Sequence, residues 1–191
     1  YMYKKKQFPS RYKRSKLIII PKSVVNDASL PINKRYRAVS VADKYAQVLG
    51  GVMLKVLNRQ MKIPEEAKAT IEKLQFNLKQ FIENQGPKIK LIDYSDVEAA
   101  YNVGNHDFIL NKMVKLGINK THYRLMRNYF EDRWNYMVKP SGEIWEKRNE
   151  RGTFQGTTLS SILWSIQMCG VKEKFEQLVK EDSDLKVEIQ W

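Results

Sequence analysis

Between Leu91 and Asp107 the chain reads LIDYSDVEAAYNVGNHD, and the change of character inside this stretch constrains what can be built around it. The apolar run leading in, Ile89 to Ile92, has the length and composition of a short buried strand. Carboxylates follow at Asp93 and Asp96, where such a strand ends. Asn105 is placed to cap a following helix whose body is FILNKMVKL. This order puts an acidic group at a strand tip, where it can face a shared cleft. Mg²⁺ is held in such places by one or two carboxylates together with substrate phosphates. Tyr101, a little further on, offers an aromatic wall. The same Asp residues also suit turns and caps, so the stretch alone leaves both roles open.

Composition narrows the partners. The 191 residues suit one domain, or one domain with part of another, and their apolar content is enough for a core. The net charge of +13 says nothing about fold but favours a polyanion, with nucleic acid first and an anionic membrane surface second. No apolar run approaches the ~20 residues of a spanning helix, and no signal peptide is visible; no membrane role is expected. Cys169 is the sole cysteine, which excludes an intrachain disulfide and a thiolate zinc cluster. A reducing, intracellular setting, nuclear or cytoplasmic, is the expectation. The chain starts at Tyr1 and stops at Trp191 within a strand-like run, so both ends read as cut from something longer.

Taken in order, Tyr1 to Lys16 carries Lys4, Lys5, Lys6, Arg11, Lys13 and Arg14 interleaved with Tyr3, Phe8 and Tyr12. Mixed cations and aromatics suit phosphate neutralisation with base stacking, or simply a solvated basic segment. Leu17 to Ile20 predicts a strand ending at Pro21-Lys22, Val24 to Lys34 a loop, and Tyr36 to Val41 a second strand with Arg35 and Arg37 at its start. Two strands with cations near a loop can form a triphosphate clamp. Ala42 to Met61 predicts a helix with Ala46, Leu49, Val52, Met53, Val56 and Leu57 on one face, and Gly50-Gly51 allows another backbone to come close. A helix from Pro64 to about Asn84 follows, its stripe of Ala67, Ile71, Leu74, Leu78 and Phe81 reading as core. Gly117 closes the helix that Asn105 opens, and Thr121 is expected to cap another to about Arg133. WNYMV and EIWEKRNE flank a polar turn and predict a β-hairpin. A Gly-bounded loop with Gln155 then leads into a long apolar helix reaching Glu181, and Leu185 to Ile189 starts a last strand. His106 and His122 read as helix-start residues with no partner spacing for a metal, and Cys169 as an inert core thiol.

Three separated stretches then fit one pattern in one order. Ile20-Pro21-Lys22 and Tyr36-Arg37-Ala38-Val39-Ser40-Val41 resemble the fingers of reverse transcriptases. Asp96-Val97-Glu98-Ala99-Ala100-Tyr101-Asn102, closed by Asn105-His106-Asp107, resembles the first catalytic motif of their palm. Gly152-Thr153-Phe154-Gln155-Gly156-Thr157-Thr158-Leu159-Ser160-Ser161 resembles the second palm motif. The whole chain is most similar to the reverse transcriptases of non-LTR retrotransposons. The resemblance implies an α+β right-hand polymerase fold of helices with a small antiparallel sheet, cut before the catalytic hairpin and thumb. Residues 1–88 would be fingers-like and 89–191 palm-like, together one reverse transcriptase fragment.

The resemblance also assigns roles. It selects Asp96 over Asp93 as the catalytic ligand shared by two Mg²⁺ ions, with Mn²⁺ as a substitute, and adds the Val97 backbone carbonyl. Tyr101 would press on the sugar 2′ position and admit deoxynucleotides, which argues against an RNA-templated RNA polymerase. Gln155, with Gly156 allowing close approach, would line the nucleotide pocket. Lys22 and Arg37 would hold the triphosphate. The implied activity is RNA-directed DNA polymerisation, with RNA template, DNA primer and deoxynucleoside triphosphates as partners. Departures are visible. Asn102 stands for a common Asp, Phe154 for a common Pro, and Gln60-Met61-Lys62-Ile63-Pro64 for a Gln-Phe-Gly-Phe-Arg segment. The aromatic-Ala-Asp-Asp hairpin is expected beyond Trp191. Its absence from this span motivates a second reading, an inactive RNA-binding or ribonucleoprotein scaffold derived from a reverse transcriptase.

Overall fold

A computed structural model describes residues 2–63, 79–80, 83–84, 100–154 and 156–181. A one-turn helix α1 (Met2–Lys5) and a 3₁₀ turn (Ser10–Lys13) lead into strand β1 (Arg14–Pro21), where β-branched Ile18 to Ile20 favour extended backbone. The expected loop after Pro21 ends in one helical turn, α2 (Ile32–Arg35), before strand β2 (Tyr36–Ala42). β2 runs back antiparallel to β1, with Ser15 opposite Ala42 and Ile20 opposite Arg37. Asp43 then caps helix α3 (Lys44–Gln60), its carboxylate accepting the Tyr45 N–H at 2.8 Å. Of the apolar face expected on α3, Ala46, Met53 and Leu57 are buried, whereas Val52 is exposed.

Helix α4 (Ala100–Val103) is a single turn. The Asn105 side chain caps α5 (His106–Lys115) by accepting the Phe108 N–H at 2.9 Å. Gly117, at φ 94°, closes it, with the Ile118 N–H returning to Met113 O at 3.0 Å. The cap of α6 (Lys120–Phe130) is Asn119, not Thr121. Asn119 lies far enough ahead of His122 for its side chain to accept that N–H at 2.9 Å, while Thr121 already sits inside the first turn. The helix stops at Phe130 rather than near Arg133, because Asp132 takes a left-handed φ of 51°. Strands β3 (Trp134–Val138) and β4 (Ile144–Arg148) form the expected hairpin, and α7 (Ser160–Glu181) is the long final helix.

The sheet is mixed, where an antiparallel one was expected. Its order is β2-β1-β3-β4, and β1 pairs with β3 in parallel, Ser15 opposite Asn135. A parallel pair needs a long crossover, and here the helices between β2 and β3 supply it. The sheet therefore takes strands from both sides of residue 88. The core lies among the helices: Met53 and Leu57 of α3, Ile109 and Met113 of α5, Leu125 and Met126 of α6, and Leu163 and Ile166 of α7 are buried together. Cys169 is buried and free, and burial raises its thiol pKa. No helix among the described residues is long and apolar enough to cross a membrane. The expected strand at Ile89 to Ile92 and the last strand at Leu185 to Ile189 lie outside the described residues. So does most of the helix expected from Pro64, of which residues 79–80 and 83–84 are helical.

One ion pair stitches α5 to α7. The Lys112 side chain is almost fully buried and its ammonium is paired with Glu173, whose side chain is 59% exposed. Removing the carboxylate alone strands a desolvated cation, so Glu173→Ala should cost about 1–3 kcal/mol of unfolding free energy. Lys112→Met, which keeps the alkyl length without the charge, should cost clearly less. Urea denaturation of both variants checks this. Equal losses would show that the cost is that of the lost ion pair and not of a stranded cation.

Candidate functional site

The loop between β4 and α7 is where the sequence motifs meet. The Gly152 N–H donates to Gly104 O at 2.6 Å, and the Thr153 N–H donates to Tyr101 O at 2.6 Å. The end of the first of the two stretches that resemble palm motifs is thus bonded to the start of the second. Gly152 has φ 76°, and a Cβ on it would lie 2.4 Å from Tyr101 O. Only glycine permits a crossing this close in that conformation.

The next residue but one, Phe154, is buried with its ring under the Arg133 guanidinium, whose carbon is 3.4 Å from the ring centroid. Phe154 O accepts the Thr157 N–H at 3.1 Å and the Ser160 hydroxyl, so the ring and the carbonyl are both held. Gly156, at φ 94°, lies against β2: a Cβ on it would meet Ser40 O at 3.2 Å. Thr158 reaches α3, its hydroxyl 3.3 Å from Gln47 O, and a Cβ on Gly50 would meet that hydroxyl oxygen at 2.6 Å. Where another backbone was expected to come close, at Gly50-Gly51, a side chain does so instead, that of Thr158 at Gly50, while a Cβ on Gly51 would meet nothing within 4 Å.

Tyr101 is half-buried on α4, its ring 6.4 Å from that of Trp164 on α7 and tilted by 55°. Arg37 is exposed at the loop end of the β1–β2 hairpin, opposite Ile20. Lys22 stands at the same end, its N–H bonded to Arg35 O at 2.8 Å and its ammonium donating to Asn33 O at 3.2 Å. Asp93, Asp96, Val97 and Gln155 lie outside the described residues. Among the described residues no cluster of three or more His, Cys, Asp and Glu forms a metal cage.

The basic N-terminal segment divides. Lys4, Lys5, Lys6, Arg11 and Arg14 are exposed, and Arg14 is ion-paired with Glu146. Lys13 is not a surface cation: it is 5% exposed, and burial lowers its pKa. The aromatics expected to stack on bases are partly committed to packing. Phe8 is buried edge-on to Tyr129 at 5.1 Å, with its N–H on Asn128 Oδ1 at 2.7 Å. Tyr3 packs edge-on to His122 at 5.5 Å, and Tyr12 lies beside Tyr45. The cavity bordered by Phe8, Tyr12, Gly50 and Phe154 measures about 10 Å³. That is room for about one water and none for a nucleotide.

Sequence reasoning missed Arg133. It has no exposed surface, faces Tyr129 at 4.3 Å as well as Phe154, and burial lowers its pKa, with the Tyr129 hydroxyl acting the other way. It directly precedes β3, so strand alternation does not reach it, and its burial is decided by the contacts with Tyr129 and Phe154.

His106 supports the same junction. Its Nε2 is 2.7 Å from Gly152 O, so that nitrogen carries the proton, and its ring stacks on Phe130 at 4.3 Å. Burial lowers its pKa below 6.5; the bond to Gly152 and the charge of Asp107 oppose this, and Arg133 reinforces it. A depressed histidine pKa means that the unfolded chain binds the proton first as pH falls. The stability it contributes is therefore complete above pH 6.5 and lost as pH drops through its folded value. His122, lowered by burial, acts in the same direction. Unfolding free energy should fall from pH 6.5 downward, and His106→Gln should flatten that fall. An unchanged profile in denaturant titrations at several pH values would remove His106 as its source.

No protein-family model and no curated protein sequence matches the chain. Solved structures do. Apo telomerase from Candida tropicalis, truncated from its C-terminal domain, is similar with a TM-score of 0.59 at 15% identity, over 93% of this chain and 42% of that one. Telomerase from Candida albicans in complex with a TWJ fragment of telomeric RNA is similar with a TM-score of 0.59 at 12% identity, over 94% of this chain and 37% of that one. The chain spans less than half the length of either. Its fold, helices with a small mixed sheet, is one shared with telomerase and hence reverse-transcriptase-like.

Proposed function

We propose that this chain forms the fingers and part of the palm of an RNA-directed DNA polymerase, of the type found in non-LTR retrotransposons. The observation that carries the reading is the junction at Gly152 to Gly156. There the first palm motif, at Tyr101, is bonded to the second, and the second lies against the fingers strand at Ser40. Three stretches far apart in sequence resemble one enzyme in order, and their described parts touch. The telomerase fold supports the polymerase lineage but does not distinguish the retrotransposon type. The net charge of +13 and the RNA-bound neighbour both support an RNA partner.

In this reading a primer 3′-hydroxyl attacks the α-phosphate of a deoxynucleoside triphosphate in line, the new phosphodiester forms, and pyrophosphate leaves. Arg37 and Lys22 hold the triphosphate. Arg37 lies about 10 Å along β2 from Ser40. The Tyr101 ring stands against the sugar 2′ position, and Gln155 and Gly156 form the floor under the nucleotide. Mg²⁺ ions, when held by Asp96 and the Val97 carbonyl, would neutralise charge at the transferring phosphate. Cations of the N-terminal segment, Lys4, Lys5, Lys6, Arg11 and Arg14, would neutralise template or primer phosphates.

Primer extension by a form of the protein that extends a primer tests the chemistry. Asp96→Asn should abolish extension while leaving most nucleic-acid affinity, and Tyr101→Ala should admit ribonucleotides. Full activity of the first variant would remove Asp96 from catalysis, and an unchanged sugar preference in the second would remove the gate. A protein that binds RNA and never extends a primer with Mg²⁺ would be the scaffold instead. Binding should also weaken steeply with salt. Replacing Lys4, Lys5 and Lys6 with Ala should reduce the log–log slope by about 0.7 for each single-strand phosphate these lysines neutralise. An unaltered slope in filter binding would show that none of the three lysines touches the nucleic acid.

A further inference from the structure

We propose that Arg133 is a positioning residue that fixes the nucleotide-site loop by stacking on Phe154, in place of a proline. The proposal rests on the polymerase reading for its consequence, though not for its geometry. In the resembling family the residue before the loop glutamine is commonly Pro, which locks its own φ covalently. Phe154 has no such lock, so its conformation must be imposed by what surrounds it. The surroundings do this on two sides. Arg133 lies over the ring at 3.4 Å, while the Phe154 carbonyl is taken by the Thr157 N–H and the Ser160 hydroxyl at the start of α7.

Arg133 is itself held rigidly. Tyr129 packs on the guanidinium at 4.3 Å, so the cation lies in contact with two aromatic rings. Its carbonyl accepts the Asn149 N–H at 2.7 Å, tying it to the end of β4. The preceding Asp132 is fixed by an ion pair with Arg148 at 3.0 Å. No well-aligned hydrogen bond reaches Nε or either terminal nitrogen among the described residues, and the nearby Tyr129 hydroxyl is the one polar group that favours the charged form. The neighbouring cations aggravate the burial, since Arg133 lowers the pKa of both Lys13 and His106. An apolar side chain would fill this place with less penalty. What only a planar cation supplies is a flat, attractive cover over an aromatic face. Lysine, a compact point charge on a flexible stem, does not reproduce it.

The clamp is read locally by amide hydrogen exchange at Thr153 and Thr157, whose N–H groups bond Tyr101 O and Phe154 O. In the full chain, Arg133→Met and Arg133→Lys should each speed exchange there by about tenfold, with core amides of α5 unchanged. Where Arg133→Met fails to fold, Phe154→Leu, which keeps apolar volume and removes the ring face, should give the same local acceleration. In a primer-extending form, Arg133→Met should raise the KM for deoxynucleotides more than it lowers kcat. The same change in a Phe154→Pro background should have a much smaller effect, because proline restores the lock. Unchanged exchange at Thr153 and Thr157 overturns the clamp. A KM loss of equal size in the proline background overturns the substitution for proline. If exchange responds but no form of the protein polymerises, the clamp stands and the polymerase reading falls.

Discussion

A single backbone crossing holds the candidate site together. Gly152 passes so near the Tyr101 carbonyl that no side chain fits between them, and paired short hydrogen bonds fasten the two segments there. Everything downstream inherits that fixed point. Phe154 is delivered beneath Arg133, Gly156 comes to rest against β2, and Thr158 reaches α3. The strain of a left-handed backbone at Gly152 is small for glycine, and the His106 imidazole bonded to its carbonyl adds a second restraint from α5. The junction joins the segment after α4 to the segment before α7, so the helical core and the sheet are connected through it.

Around this crossing the protein tolerates unusual electrostatics. Lys13, Lys112 and Arg133 are all buried, yet only Lys112 has a carboxylate bonded to it among the described residues. Charged groups normally enter an interior only when paired. Lys13 keeps partial compensation from Glu131 and Asp132, which oppose the lowering of its pKa. Arg133 relies on aromatic faces. This places an unfavourable term beside the loop between β4 and α7, while the packed helices carry the apolar burial that offsets it.

Elements set by local signals were legible in the sequence. The Asn105 cap, the Gly117 stop, the strands β1 and β2, the WNYMV hairpin and the reach of α7 to Glu181 each follow from residues close in sequence to the feature they specify. Errors arose where a nonlocal contact decided between two local options. Thr121 and Asn119 are both good capping types, and the chain uses the one that also receives Gln60 near its N–H. The parallel β1–β3 pairing carries no local mark, since pairing direction is set by the path of the intervening helices. Burial of Phe8 and Lys13 was hidden because a basic, aromatic segment reads the same whether it lies on the surface or under Tyr129. Arg133 was hidden more thoroughly. It lies just before β3, where a cation next to Glu131 and Asp132 reads as a surface turn, and the contacts with Tyr129 and Phe154 bury it.

The likeness to telomerase at 12–15% identity shows what such a fold needs and what it does not. At that distance few side chains are held in common, so the shared shape must rest on constraints many sequences satisfy: helix caps, a mixed sheet, a core of interchangeable apolar residues. Catalysis makes the opposite demand, since a metal-bearing carboxylate admits almost no substitute. Shape and chemistry are therefore separable in one direction only. On the proposed reading Asp96 would supply the chemistry, whereas the crossing is set by Gly152, Gly104 and Tyr101 themselves. A chain without the crossing would leave Tyr101 with no fixed relation to the loop before α7.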